Sequence, residues 1–162
     1  MPGRTVLVAL DGSEKTAAAL SFAAGLVGAP GSPEENHLRL LHVQTCKEHL
    51  EELHELEITG PLYTVGKPSE ESIAIMDAAI KRAKDMGVLN FREDVVSAKH
   101  SSAKGIGAAI CRYAEDLEKT SGNVLLVVGC RELSFIQRAV LGSVSDYVVR
   151  HCQCNLGQRA LV

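Results

Sequence analysis

The residues best suited to chemistry in this chain lie where an apolar run gives way to glycine. Val124-Leu125-Leu126-Val127-Val128 is followed by Gly129-Cys130-Arg131-Glu132, and after nine intervening residues come Gly142 and Ser143, then Val144 and Ser145. Two glycines and a serine at a helix start supply close backbone approach, oriented N–H donors and a hydroxyl, which is what a phosphate group needs. The same residues also serve plain structure, since Gly129 can simply turn the chain and Ser143 can simply cap a helix. Spacing alone leaves both readings open. Two further apolar runs end in polar residues, at Asp11-Gly12-Ser13 and at His42-Val43. In an open parallel sheet such strand ends are where ligands bind.

The other chemistry-bearing residues do not assemble into a site. His49 and His54 are five apart, on different faces of a helix, and read as solvated. His42, at a strand end, reads as satisfied by backbone. Cys152-x-Cys154 beside His151 offers soft metal ligands, but no matching pair elsewhere completes a four-coordinate zinc site, so no metal is expected. Cys130, inside the glycine-flanked loop, becomes redox-sensitive if nearby N–H dipoles lower its pKa. Gly60 to Lys67 fails as a P-loop, because its glycines are one residue too far apart and Pro68 stands where a Mg²⁺-binding hydroxyl belongs. Gly105-x-Gly107 follows no strand and reads as helix packing. No nucleophile–base pair is evident and Ser143 lacks a G-x-S-x-G elbow, so no catalytic residue is assigned. Any turnover, at most that of a weak ATPase, would rest on positioning alone.

Strands and helices alternate so as to hold these strand ends together. Val6 to Leu10 is a strand buried on both faces; Ser13 as N-cap with Glu14 then opens a helix through Ala17, Leu20, Ala24 and Val27 to about Gly28. Turn chemistry at Ala29-Pro30-Gly31 precedes a second strand, Leu38 to Val43. A short helix follows from Cys46 to Glu57, then a loop to Pro68. Ser69 opens a helix with an apolar stripe of Ile73, Met76, Ile80 and Ala83, stopped at Gly87. Phe91 to Ala98 is a third strand, and Ile106, Ala109, Ile110, Tyr113 and Leu117 face one side of the next helix, closed by Gly122. Val124 to Val128 is a fourth, and Ser143 to His151 a last helix. The alternation predicts an α/β fold: a doubly wound, mostly parallel sheet with helices on both faces.

Size and composition narrow the function. At 162 residues the chain reads as one domain, 1–162, and its 46% hydrophobic and 23% charged content is ordinary globular usage. With 17 Lys+Arg against 20 Asp+Glu and no basic block, no nucleic-acid partner is expected. The first apolar run is too short for a signal or a membrane span, so the reading is intracellular and cytoplasmic, with no membrane partner. Five scattered cysteines, an odd number, argue against a disulfide framework.

Val127-Val128-Gly129-Cys130-Arg131 and Leu141-Gly142-Ser143-Val144-Ser145-Asp146-Tyr147-Val148-Val149-Arg150-His151 together resemble the universal stress protein family. Val8-Ala9-Leu10-Asp11-Gly12-Ser13 and Leu40-Leu41-His42-Val43 match it in the same order. The resemblance implies a five-stranded parallel α/β sheet, frequent homodimers and, in many members, ATP held by a G-x2-G-x9-G-[ST] loop. It implies further that Ala9, Leu10 and Val128 line an adenine pocket and that Asp11 and Val43 flank adenine and ribose. Gly129, Arg131 and Glu132 would open the phosphate loop, with Gly142, Ser143, Val144 and Ser145 at the phosphates and Mg²⁺ accompanying them.

Three departures from that pattern matter. The motif's second glycine is Glu132 here: a non-glycine at φ > 0 costs about 1–2 kcal/mol, and a carboxylate about 5 Å from a phosphate charge adds roughly 1–3 kcal/mol. Affinity would then fall about a hundredfold, with Arg131 offsetting part of the repulsion. The family's apolar last strand, often its dimer contact, is replaced by Cys154-Asn155-Leu156-Gly157-Gln158-Arg159-Ala160-Leu161-Val162, apolar only in its last three residues, which leaves a homodimer of the usual kind in question. His100 to Gly105 replaces a Gly-Asp-Pro-like turn, with Ser101 or Ser102 as N-cap. Two functions stand: a stress-response-type regulatory protein that binds an adenine nucleotide, or a nucleotide-free interaction module in which Glu132 has ended phosphate binding.

Overall fold

In the computed structural model, which describes residues 3–28, 36–45, 61–129 and 142–158, the apolar runs become the middle of one sheet. In chain order the elements are β1 (Thr5–Leu10), α1 (Glu14–Gly28), β2 (His37–Thr45), β3 (Tyr63–Val65), α2 (Glu70–Asp85), β4 (Phe91–Ala98), α3 (Ala103–Ser121), β5 (Val124–Val128), α4 (Ser143–His151) and β6 (Asn155–Gln158). The strand order is β3-β4-β2-β1-β5-β6. Strands β4, β2, β1, β5 and β6 run parallel. The expected parallel α/β sheet is therefore present. A short antiparallel strand, β3, is added at the β4 edge in a stretch that reads as loop from sequence. The outer strand β6 forms from a polar run, by backbone pairing of Asn155–Gln158 with Leu125–Val128.

Strand periodicity sorts the core into two layers. Val6, Val8 and Leu10 of β1, with Leu38 and Leu40 of β2, point to α1 and α2 and pack on Leu20, Ala23, Met76 and Ala83. The alternate residues, Leu7 of β1, Leu41 of β2 and Leu126 of β5, point to α3 and α4 and pack on Ile110, Ala114, Leu117 and Val148. Both faces of the central strands are covered, which is why they read as continuous apolar runs.

Helix ends follow sequence chemistry in most places. Ser69 Oγ accepts from the Ser72 N–H at 3.1 Å to start α2. Ser102, one of the two expected caps, accepts from the Gly105 N–H at 3.1 Å to start α3, and Gly122 ends that helix. Two expectations are corrected. The α2 stripe holds at Met76 and Ala83, which are buried, and at Ile80, which packs on the core, but Ser72 and Ala79 complete it in place of Ile73, which is 44% exposed. Ser72 can take the inward place because its hydroxyl is satisfied by Gln44 Oε1 at 2.9 Å. At the start of α1, Ser13 does not cap through its hydroxyl, which finds no hydrogen-bond partner among the described residues. Asp11 holds the turn instead, its Oδ1 accepting from the Ser13 N–H at 2.8 Å and from Thr16 Oγ1 at 3.0 Å. The helix expected over 46–57 lies outside the described residues.

One contact fixes where α4 lies. A Cβ on Gly107 of α3 would come within 2.6 Å of the Tyr147 ring, so α4 rests on a position that only glycine leaves open. Gly107→Ala is expected to destabilise the fold by about 1–3 kcal/mol through overpacking. The readout is a lower urea midpoint at unchanged slope; an unaltered midpoint would mean that Tyr147 does not bear on α3.

Candidate functional site

The chain leaves β1 toward β2 and β4, then returns through α3 to β5 on the other side of β1 and continues outward to β6. The connections after β1 and β5 therefore run in opposite directions, α1 covering one face and α4 the other. Such a reversal opens a crevice at the carboxyl ends of the two strands.

A hollow of about 280 Å³ lies there. Every described candidate residue lines it: Ala9, Leu10 and Asp11 at the end of β1, Val43 on β2, Val128 and Gly129 at the end of β5, and Gly142, Ser143, Val144 and Ser145 at the start of α4. Arg131 and Glu132 lie outside the described residues, as do Cys46, Cys130, His49 and His54. Sequence reasoning did not assign to the site Ser13, Lys15 and Thr16 from the first turn of α1, Leu41 from β2, or Ile106 and Ile110 from α3. Lys15 and Thr16 carried a usable signal, since they directly follow the Asp11-Gly12-Ser13 turn. Ile106 and Ile110 were legible as a helical apolar face, yet nothing local says that one end of that face is left uncovered by the sheet.

The close approach of backbones shapes the polar side. A Cβ on Gly129 would meet the Lys15 carbonyl oxygen at 2.9 Å and the Thr16 nitrogen at 3.2 Å, so only glycine lets the end of β5 lie against the first turn of α1. Ser145 Oγ donates to the Gly129 carbonyl at 2.6 Å and ties the start of α4 to that same strand end. Gly142 is the N-cap of α4, in extended conformation, and among the described residues no side chain caps the helix. The first-turn N–H groups have no intrahelical acceptor, and with the positive end of the helix dipole they form a site suited to an anion. On the far side, His42 is buried and its Nδ1 meets the Leu10 carbonyl at 2.8 Å, so this ring is held by backbone, as expected from its place at a strand end.

Asp11 is the ionisable group at the rim. Partial burial works against its charge, but hydrogen bonds from Ser13, Thr16 and the backbone outweigh that and hold the carboxyl below its ordinary value of 3.8. A carboxyl depressed on folding adds stability that is complete above the unfolded pKa and is lost as pH falls through the folded one. Acidification below about pH 3.8 should therefore lower the unfolding midpoint of the wild type more than that of Asp11→Asn. Parallel pH curves for the two proteins would show that the Asp11 turn is not held by its charge.

Among the described residues, no three of His, Cys, Asp and Glu are placed to hold a metal ion, and no helix is long and apolar enough to cross a membrane. Residues 3–156 match the model of the universal stress protein family. Solved structures of the same shape include a universal stress protein in complex with cAMP, 23% identical over 98% of this chain and 98% of that one, with a TM-score of 0.63. Another is a protein of that family from Burkholderia pseudomallei, 22% identical over 96% of this chain and 94% of that one, TM-score 0.56. A third is a universal stress protein from Archaeoglobus fulgidus, 15% identical over 98% of both chains, TM-score 0.61. At these identities the likeness speaks for the fold alone. No curated protein is significantly similar to the chain.

Proposed function

The chain belongs to the universal stress protein family, and from that premise we propose that it binds an adenine nucleotide, ATP, in the hollow between the ends of β1 and β5. In this reading it is a stress-response-type regulatory protein rather than a catalyst. The observation that carries the proposal is the start of α4: a helix N-terminus with no side-chain cap among the described residues, fastened by Ser145 to the end of β5, opens on a hollow with an apolar wall. An apolar wall with a few convergent polar groups is what a nucleotide needs, since the base stacks in a dry slot while the phosphates take oriented donors.

Adenine would lie against Ala9, Val43 and Val128, with Ile106 and Ile110 closing the slot from α3. The ribose would meet Asp11, an ionised acceptor at neutral pH. The phosphates would take the N–H groups of Ser143, Val144 and Ser145 together with the Ser143 hydroxyl, and Lys15 supplies positive charge from the α1 side of the same hollow. Mg²⁺ would arrive with the nucleotide. That a similar structure is a complex with cAMP supports the ligand class. Glu132 favours the second reading, a nucleotide-free interaction module, since its carboxylate follows Gly129 at the place where the family's phosphate loop carries glycine.

Calorimetry with Mg-ATP separates the two. The wild type is expected to bind, Ala9→Leu to bind at least about tenfold more weakly because the added side chain fills the slot, and Glu132→Gly to bind up to about a hundredfold more tightly. Binding by Glu132→Gly alone would install the interaction-module reading in place of this one. Wild-type binding that ignores Ala9→Leu would put the nucleotide elsewhere on the protein.

A further inference from the structure

Three of the chain's cysteines, far apart in sequence, meet beneath the end of α4. Cys152 is the C-cap of α4, its N–H bonded to the Val148 carbonyl at 2.9 Å. Cys154 lies two residues on, just before β6, and Cys111 faces the pair from the middle of α3. The sulfurs of Cys152 and Cys154 are 2.9 Å apart, and all three residues are free thiols. Exposure separates them: Cys111 and Cys154 are buried, at 6% and 7%, whereas Cys152 is half-buried and reaches solvent.

We propose that Cys152 and Cys154 form a thiol–disulfide exchange site for small-molecule disulfides such as oxidised glutathione, closing reversibly to an internal Cys152–Cys154 disulfide. Cys152 Sγ, the accessible sulfur, gives up its proton and attacks one sulfur of the glutathione disulfide; that S–S bond breaks and the first glutathione leaves as a thiol. Cys154 Sγ then loses its proton and attacks Cys152 Sγ in the mixed disulfide, and the second glutathione leaves. Two protein S–H bonds and one glutathione S–S bond are lost, while one protein S–S and two glutathione S–H bonds form. The protein pair is oxidised by two electrons and glutathione is reduced by two.

The neighbours assign the roles. Cys152 is the shared partner of the other two, hydrogen-bonded to Cys154 with the sulfurs 2.9 Å apart and to Cys111, an arrangement that favours its thiolate and lowers its pKa while raising those of Cys111 and Cys154. A sulfur that is both exposed and favoured as thiolate is the one that attacks first. Cys154 rather than Cys111 resolves the mixed disulfide, because it is already at contact distance on a non-helical segment, whereas Cys111 is fixed within a 19-residue helix.

Tryptic mapping reads the outcome directly, since cleavage after Arg150 and Arg159 puts Cys152 and Cys154 in one peptide and Cys111 in another ending at Arg112. Folded wild-type protein treated with oxidised glutathione and blocked with iodoacetamide should yield the 151–159 peptide lighter by two hydrogens and unalkylated, restored by dithiothreitol. Cys152→Ser, checked for folding by circular dichroism, should carry neither glutathione nor a disulfide on that peptide. Persistence of a mixed disulfide without closure, pairing of Cys152 with Cys111, or full alkylation of 151–159 after treatment would each overturn the assignment.

Discussion

The architecture around the hollow depends on the distance between two backbones. The end of β5 lies so near the first turn of α1 that a side chain on Gly129 would strike the Lys15 carbonyl. Without that approach, β5 would be pushed away from the turn that follows β1, and the crevice between them would have no common floor. The same residue does a second job, since its carbonyl accepts the Ser145 hydroxyl and thereby ties the first turn of α4 to the strand end. Gly107 completes the arrangement from below, letting Tyr147 sit close on α3. Two glycines and one hydroxyl therefore hold the start of α4, and the rim of the hollow follows from where that helix is held.

Much of this was legible in the sequence, for reasons that differ from element to element. Val124 to Val128 is buried on both faces and so reads as an unbroken apolar run, and the glycine after it marks the strand end whatever the rest of the chain does. Gly142-Ser143 announces a helix start in the same local way. Ten of the twelve candidate residues line one hollow, but their individual roles came from the family resemblance, and these local signals mark only the strand end and the helix start. What was not legible depends on long-range placement. The three residues of β3 become a strand only because β4 offers an edge to pair with. Ile73 is more apolar than Ser72, yet Ser72 turns inward because Gln44, far away in sequence, supplies an acceptor. Ser13 looks like a cap, but its hydroxyl meets no partner among the described residues, and the turn is held instead by Asp11, which accepts from the Ser13 N–H and the Thr16 hydroxyl.

α4 joins two chemistries of opposite sign preference. Its nine residues span about 13 Å at the ordinary helical rise of about 1.5 Å per residue. At the N-terminal end the first-turn N–H groups, which lack intrahelical acceptors, and the helix dipole favour an anion, which suits the phosphate side of the hollow. At the C-terminal end the same dipole disfavours negative charge, so a thiolate at Cys152 gains nothing from the helix that carries it. Its stabilisation has to come from the two neighbouring thiols, one on α3 and one at the mouth of β6. A lone cysteine at this helix end would be a poorer thiolate than one in water, so the convergence of α3, α4 and the approach to β6 on Cys152 supplies what the helix itself withholds.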